Sequence, residues 1–187
     1  MCIRDRSEGW SFNTENEVKF TRKSNKQIDV PDDVLQIDTS FRHHGDDYIE
    51  AGKGHDNIEG GSGNDTIKAG SGNDTVEGGT GDDSVYGQSG DDVLRGNDGN
   101  DVLKGGDGQD AVYGNKGDDS LSGADHADRL YGGDGADTVD GGDGRDELYG
   151  GSGKDRLYGG SNNDVLEGGS ESDRLYGQGG ADKLYGH

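Results

Sequence analysis

The chain has 187 residues, of which only 25% are hydrophobic and 39 are glycine, and it carries a formal net charge of −22. That charge excludes nucleic acid and anionic membranes as natural partners and attracts multivalent cations. The apolar content excludes an ordinary globular core, no run reaches the roughly 18 apolar residues that span a bilayer, and the lone Cys2 excludes an internal disulfide.

Residues 1–41 differ in pattern from the rest of the chain. The opening Met-Cys-Ile-Arg-Asp-Arg resembles translated sequencing adapter and is expected to add no structure. The N-terminus has no apolar signal core, which argues against a cleaved secretory peptide but leaves export by another route open. Ile28, Val30, Val34, Leu35 and Ile37 form a patchy strand-like pattern around Pro31. Residues 1–41 are therefore expected to be a degenerate leading coil, a cap or a linker, since the first unit of a repeat array must cover its apolar end.

From Arg42 to Tyr185 one unit recurs sixteen times without a gap: Gly-Gly-x-Gly-x-Asp-x-(Ile/Leu/Val)-x. A strict nine-residue period means one small structural unit stacked along an axis. Position eight is aliphatic in every unit, from Ile49 and Ile58 to Leu175 and Leu184. One inward residue between two outward ones predicts a three-residue β strand, and the six glycine-rich residues before it are expected to turn. Helices are excluded by the glycine content. Two units then make one coil of turn, strand, turn, strand. The predicted fold is an all-β, right-handed parallel β-roll over residues 42–187: eighteen residues per coil, about eight coils, two short-stranded parallel sheets, and sixteen aliphatics between them. The array starts soon after the N-terminus and runs almost to the C-terminus, as a piece of a longer protein would.

Position six is aspartate in every unit. With two units per coil these residues form two columns. One is Asp47, Asp65, Asp83, Asp101, Asp119, Asp137, Asp155 and Asp173; the other is Asp56, Asp74, Asp92, Asp110, Asp128, Asp146, Asp164 and Asp182. Neighbours in a column sit about 4.8 Å apart, the spacing of paired strands. Two charges about 5 Å apart repel by about 0.8 kcal/mol even in water. A polar turn alone explains an occasional Asp, but not the same carboxylate in every unit where Asn or Ser would turn as well. A divalent cation between stacked turns explains it. Calcium takes six to eight oxygens in flexible geometry, which carboxylates and backbone carbonyls supply. Zinc wants His or Cys, which are scarce here, and magnesium keeps its waters in a tight octahedron. Eight turns per column leave seven slots in each, a ceiling of about fourteen ions.

The unit resembles the calcium-binding nonapeptide of the repeats-in-toxin (RTX) family. Gly60, Gly61 and Gly63 with Asp65, and Gly132, Gly133 and Gly135 with Asp137, carry the turn in full. The resemblance implies a parallel β-roll from extracellular bacterial proteins, with calcium between turns held by the aspartates named above and by turn carbonyls. It implies a chain unfolded at low calcium and folded outside the cell, exported by type I secretion, in the company of cytolysins, proteases, lipases or adhesins. Three late units depart from the pattern at position four, with His126, Asn162 and Glu171. Sites beside Glu171 are expected to be weakest, with Arg174 adding positive charge next to Asp173. Arg42 and His43 replace the first glycines, so Asp47 is expected to be an incomplete ligand.

The ninth position holds seven of the eight tyrosines. Tyr113, Tyr131, Tyr149 and Tyr185 fall in register on one sheet, interrupted by Glu167; Tyr86 stands apart on the other, where Tyr176 follows Tyr158. Rings covering a thin sheet account for them, and a binding strip is the alternative. Positions three and five offer no clean array. No His-Glu-x-x-His, Gly-x-Ser-x-Gly or phosphate loop occurs, and His43 and His44 read as surface residues, so no catalytic site is expected within this chain. The functional expectation is a calcium-responsive structural or secretion-related module of a larger exported protein. An adhesive or spacer segment with a protein or glycan partner is one alternative; the roll of a truncated protease, lipase or cytolysin is another.

Overall fold

The structure is a computed structural model that describes residues 2–5, 9–12 and 45–186. Two elements precede the array. Strand β1 (Cys2–Asp5) pairs antiparallel with β2 (Gly9–Phe12), Cys2 opposite Phe12 and Asp5 opposite Gly9. The apolar positions from Ile28 to Ile37, and with them the reading of a cap, lie outside the described residues, as do Arg42, His43 and His44.

From Tyr48 onward the chain is a two-sheet parallel solenoid with no helix among the described residues. One sheet stacks β3 (Tyr48–Lys53), β5 (Thr66–Ser71), β7 (Ser84–Ser89), β9 (Val102–Asp107), β11 (Ser120–Asp125), β13 (Thr138–Asp143), β15 (Arg156–Ser161) and β17 (Arg174–Gly179). The other stacks β4 (Asn57–Ser62), β6 (Thr75–Thr80), β8 (Val93–Asp98), β10 (Ala111–Lys116), β12 (Arg129–Asp134), β14 (Glu147–Ser152), β16 (Val165–Ser170) and β18 (Lys183–Tyr185). The register is eighteen residues throughout: Ile49 faces Ile67, and Ile67 faces Val85. The predicted coil, two units long, is thus observed.

The strands are longer than predicted. Apart from β18 each has six residues, running from position seven through position three of the next unit. The reason is a second inward position. In β5 both Ile67 and Ala69 are buried while their neighbours are more open, and the same alternation recurs in β12 at Leu130 and Gly132. Position one, which reads as turn from its glycines, is strand. The turn shrinks to positions four to six.

The core is the line of position-eight aliphatics from Ile49 to Leu166, joined by Ala51 and Ala69. The expected sixteen become fewer, because Leu175 is only partly buried and Leu184 is 45% exposed in the last coil. No further strand covers β17 or β18 among the described residues. On the outer face Tyr113, Tyr131 and Tyr149 stack with ring centroids 4.9 and 4.8 Å apart, and Tyr158 stacks on Tyr176 at 5.0 Å. These spacings are the coil repeat itself, so in-register rings have no other place to go. Lys68–Glu50, Lys116–Asp98 and Arg129–Glu147 pair across coils on the same outer surfaces.

Candidate metal centre

From Asp65 and Asp74 onward each sixth-position aspartate closes its turn onto the coil before it. The Asp47 N–H donates to Asp65 Oδ1 at 2.7 Å, and Asp65 N–H in turn donates to Asp83 Oδ1 at 2.8 Å. The second column repeats this, with Asp74 N–H donating to Asp92 Oδ1 and Asp92 N–H to Asp110 Oδ1, both at 2.8 Å. The links continue without a break to Asp155–Asp173 and Asp164–Asp182. The structure thus brings all sixteen predicted residues into the two predicted columns. Asp56 through Asp164 are buried, at most 5% exposed.

One carboxylate oxygen is consumed by this ladder and the other is not. Oδ2 of every member except Asp47 and Asp182 is buried without a hydrogen-bond partner. A buried anionic oxygen left unpaired costs several kcal/mol in general. Its surroundings are more acceptors. A Cβ built on Gly132 would lie 2.3 Å from Asp137 Oδ2 and 2.6 Å from the Gly150 carbonyl oxygen of the next coil. At Gly150 the pair is Asp155 Oδ2 and Gly168 O, each at 2.4 Å. Carboxylate and carbonyl oxygens from adjacent coils therefore converge beside position one, and only a residue without a side chain leaves that space open.

An arrangement of oxygen acceptors with no donor fits a hard cation and fits nothing that must accept a hydrogen bond. Among the described residues no three His, Cys, Asp or Glu side chains gather at one point. One carboxylate per turn must therefore be completed by backbone oxygens, a pattern that suits calcium and not zinc. The residues that would hold the ion are the ladder aspartates, through Oδ2, and the position-one carbonyls. A bound cation would supply the positive charge that these oxygens otherwise lack.

The electrostatics of the metal-free site agree. Burial, reinforced by the like charges along the column and opposed by the backbone N–H, raises Asp83, Asp92, Asp119 and Asp128 from 3.8 to about 7. The same causes raise Asp65, Asp137 and Asp146 to about 6, and burial, with the charges of Asp91 and Asp107 in place of the column, raises Asp110 to about 6. Ionising these groups works against the fold unless a cation accompanies them.

Two features escaped sequence reading. Position one is the space-keeping residue, and its signal was present: small residues in every unit after the first, with alanine only at Ala51 and Ala69. Position five is the second. Its side chains reach the opposite way, accepting from the next coil: Asn100 N–H donates to Asp82 Oδ1, and Asp118 N–H to Asn100 Oδ1, both at 2.8 Å. A periodicity read one unit at a time does not display a partner eighteen residues away.

The position-four departures leave a geometric mark. His126, Asn162 and Glu171 keep the left-handed backbone of the glycines they replace, at φ of 80°, 81° and 83°. Between two glycines the position-four N–H bonds the position-three carbonyl of the next coil at ordinary length, as in Gly90–Asp107 at 2.7 Å. Before Asn162 and Glu171 the equivalent bonds, Gly144–Ser161 and Gly153–Ser170, stretch to 3.4 Å. The cause is steric: a Cβ on Gly153 would sit 1.7 Å from the Gly135 oxygen, so any side chain at this position pushes the previous coil away. Replacing Glu171 with Gly should stabilise the calcium-loaded protein by about 1 kcal/mol, the cost of left-handed strain less glycine's entropy. Scanning calorimetry should show the midpoint rising by about 3 °C; a fall would refute the strain.

Comparison with known families gives two matches. The RTX calcium-binding nonapeptide repeat matches in overlapping copies at residues 45–76, 68–103, 86–121, 104–139, 122–157, 131–166 and 158–187. The tail tubular protein family matches residues 1–59, overlapping the first of those copies. No curated protein matches the chain. The repeat matches run continuously through residues 45–187, on the same aspartates and glycines that build the two ladders, and the chain belongs to the RTX calcium-binding nonapeptide repeat family.

Proposed function

We propose that this chain is a calcium-triggered structural module of a larger exported bacterial protein, folded by calcium outside the cell and extended before export. The observation that carries the reading is the double column of buried carboxylates with one oxygen unpaired from Asp56 to Asp173, which at units such as Gly132 and Gly150 shares the space beside position one with a carbonyl of the next coil. Because the ions bind the folded coils and bind the unfolded chain weakly, their binding energy is folding energy. A cell interior near 10⁻⁷ M calcium would leave the roll unfolded, and a millimolar exterior would fold it. An unfolded chain suits passage through a one-step type I exporter. The module itself is read as non-enzymatic, and any activity belongs to the protein that carries it. Inter-turn slots set the ceiling of about fourteen ions.

The test is a calorimetric calcium titration of the chain beside Asp92→Ala and Asp182→Ala. Asp92 is linked to the coils on both sides, whereas Asp182 ends its column. Asp92→Ala should lose the ions of two neighbouring slots and shift the folding midpoint to higher calcium. Asp182→Ala should lose one at most. Equal effects would count against inter-turn binding, and no heat of binding at all would overturn the function.

A second reading, that the roll serves as a rigid spacer or adhesive segment, is favoured by the stacked tyrosine rows. Calcium-dependent capture of a partner that is lost on changing Tyr131 and Tyr149 would support it.

A further inference from the structure

The ladder of position five divides the array in two. In nine slots a fifth-position side chain accepts the N–H of the fifth residue of the next coil: from Asp46, Asn64, Asp82, Asn100 and Asp118 in one column, and from His55, Asn73, Asp91 and Asn163 in the other. The acceptors Asp46 to Asp118 and His55 to Asp91 follow one another without interruption. Beyond them position five is Gln109, Ala127, Ala136, Arg145 and Lys154, and no such bond forms across the slots they would bridge; the ladder resumes only at the last coil, from Asn163 to Ala181.

This ladder and the aspartate ladder run in opposite senses. The sixth-position Oδ1 accepts from the previous coil, and the fifth-position side chain, an Asn or Asp oxygen or Nδ1 of His55, accepts from the next. Where both exist, two consecutive peptide N–H groups of the turn are held by side chains of different coils. The turn is then pinned from above and below without any help from an ion. Where only the aspartate link exists, the turn has one side-chain anchor. The stretched position-four bonds before Asn162 and Glu171, Gly144–Ser161 and Gly153–Ser170, fall in that same C-terminal stretch. Those distortions come from an independent cause, the side chain at position four, and they loosen the same turns.

We infer that the fifth-position Asn and Asp side chains are positioning residues for the calcium slots, so that slots between residues 45 and 118 fill at lower calcium than those between 127 and 172. This rests on the calcium reading above. A slot whose peptides are already aimed loses less freedom when the ion arrives, and binds it more tightly for that reason. The roll then responds to calcium in a graded way along its axis, the N-terminal coils closing first and opening last.

Hydrogen exchange with peptide resolution, on the full chain across a series of free calcium concentrations, reads this directly. Amides of residues 45–118 should reach half protection at severalfold lower calcium than those of 127–172. Asn100→Ala removes the acceptor for Asp118 N–H and should raise the local midpoint about fivefold, what one net hydrogen bond contributes, with protection at saturating calcium unchanged. Asn100→Asp keeps an acceptor and should restore the midpoint. Ala127→Asn with Ala136→Asn should lower the midpoint of the C-terminal coils. Coincident midpoints in the two stretches, or an unmoved midpoint in Asn100→Ala, overturn the inference while leaving calcium binding intact. Protection lost in Asn100→Ala even at saturating calcium makes the residue merely structural and also overturns it. Protection independent of calcium everywhere overturns the calcium reading and this inference with it.

Discussion

Chelating calcium at about pH 8 should unfold the coils, and acidifying to about pH 5 in the same chelator should restore part of the β structure. The loss rests on the unpaired Oδ2 atoms, whose negative charge has no compensation once the cation is gone. The recovery rests on the direction of the proton equilibria. In the metal-free fold Asp83, Asp92, Asp119 and Asp128 are raised to about 7, against 3.8 for the free group. Between those values the folded chain binds more protons than the unfolded one, so stability falls as pH rises and is gained as pH falls. The contribution is full below the unfolded pKa and is lost as pH climbs through about 6 to 7. A protonated Oδ2 is also a donor, and at units such as Gly132 it shares the space beside position one with a carbonyl of the next coil. Protons and calcium therefore compete for the same oxygens. The calcium midpoint should rise on acidification, and binding near pH 6 should release protons that binding near pH 8 does not. Far-UV circular dichroism with and without chelator at both pH values tests the loss and the recovery together. A metal-free chain more structured at the higher pH would contradict both the shifted carboxylates and their competition with calcium.

Gly132→Ala should cost far more than a methyl group usually does. Its Cβ would stand 2.3 Å from Asp137 Oδ2 and 2.6 Å from Gly150 O, in the space the two oxygens share. Overpacking alone costs about 1–3 kcal/mol. Losing an ion held at 100 times its dissociation constant removes about 2.7 kcal/mol more. The natural alanines at position one, Ala51 and Ala69, are buried at 1% and 0% exposure, so the coil can shift enough to take a methyl group. What it gives up is the oxygen-lined space. Gly132→Ala should therefore remain folded in saturating calcium while binding at least one ion fewer. Ala69→Gly should do the reverse and tighten the site beside Asp74. Calcium counts and affinities from calorimetry and equilibrium dialysis decide the matter: both unchanged in both variants would mean that position one plays no part in the site.

The C-terminal coil shows how far local pattern carries. Leu184 obeys the repeat as faithfully as Leu94, yet one is 45% exposed and the other fully buried. Burial depends on a neighbouring coil on both sides, and pattern within one unit is blind to that. The same limit explains the strand length. Glycine at position one suits a turn and suits a crowded strand equally well, and nothing within nine residues separates the two uses. At position five the mixture of Asn, Asp, His, Ala, Lys and Arg looks like an indifferent surface until each oxygen is paired with a peptide eighteen residues on.

What the residues alone decided was the phase: a nine-residue period, one aliphatic and one aspartate per unit, and hence two sheets and two columns of carboxylates. Periodicity suffices there because identical units stacked on an axis must superimpose like on like. Only the folded coils decided which carboxylate oxygen is consumed by the backbone and which is left over, why position one must stay small, and where along the axis the turns are doubly pinned. Each of those is a relation between successive coils, set by an eighteen-residue register and by contact distances that no single unit contains.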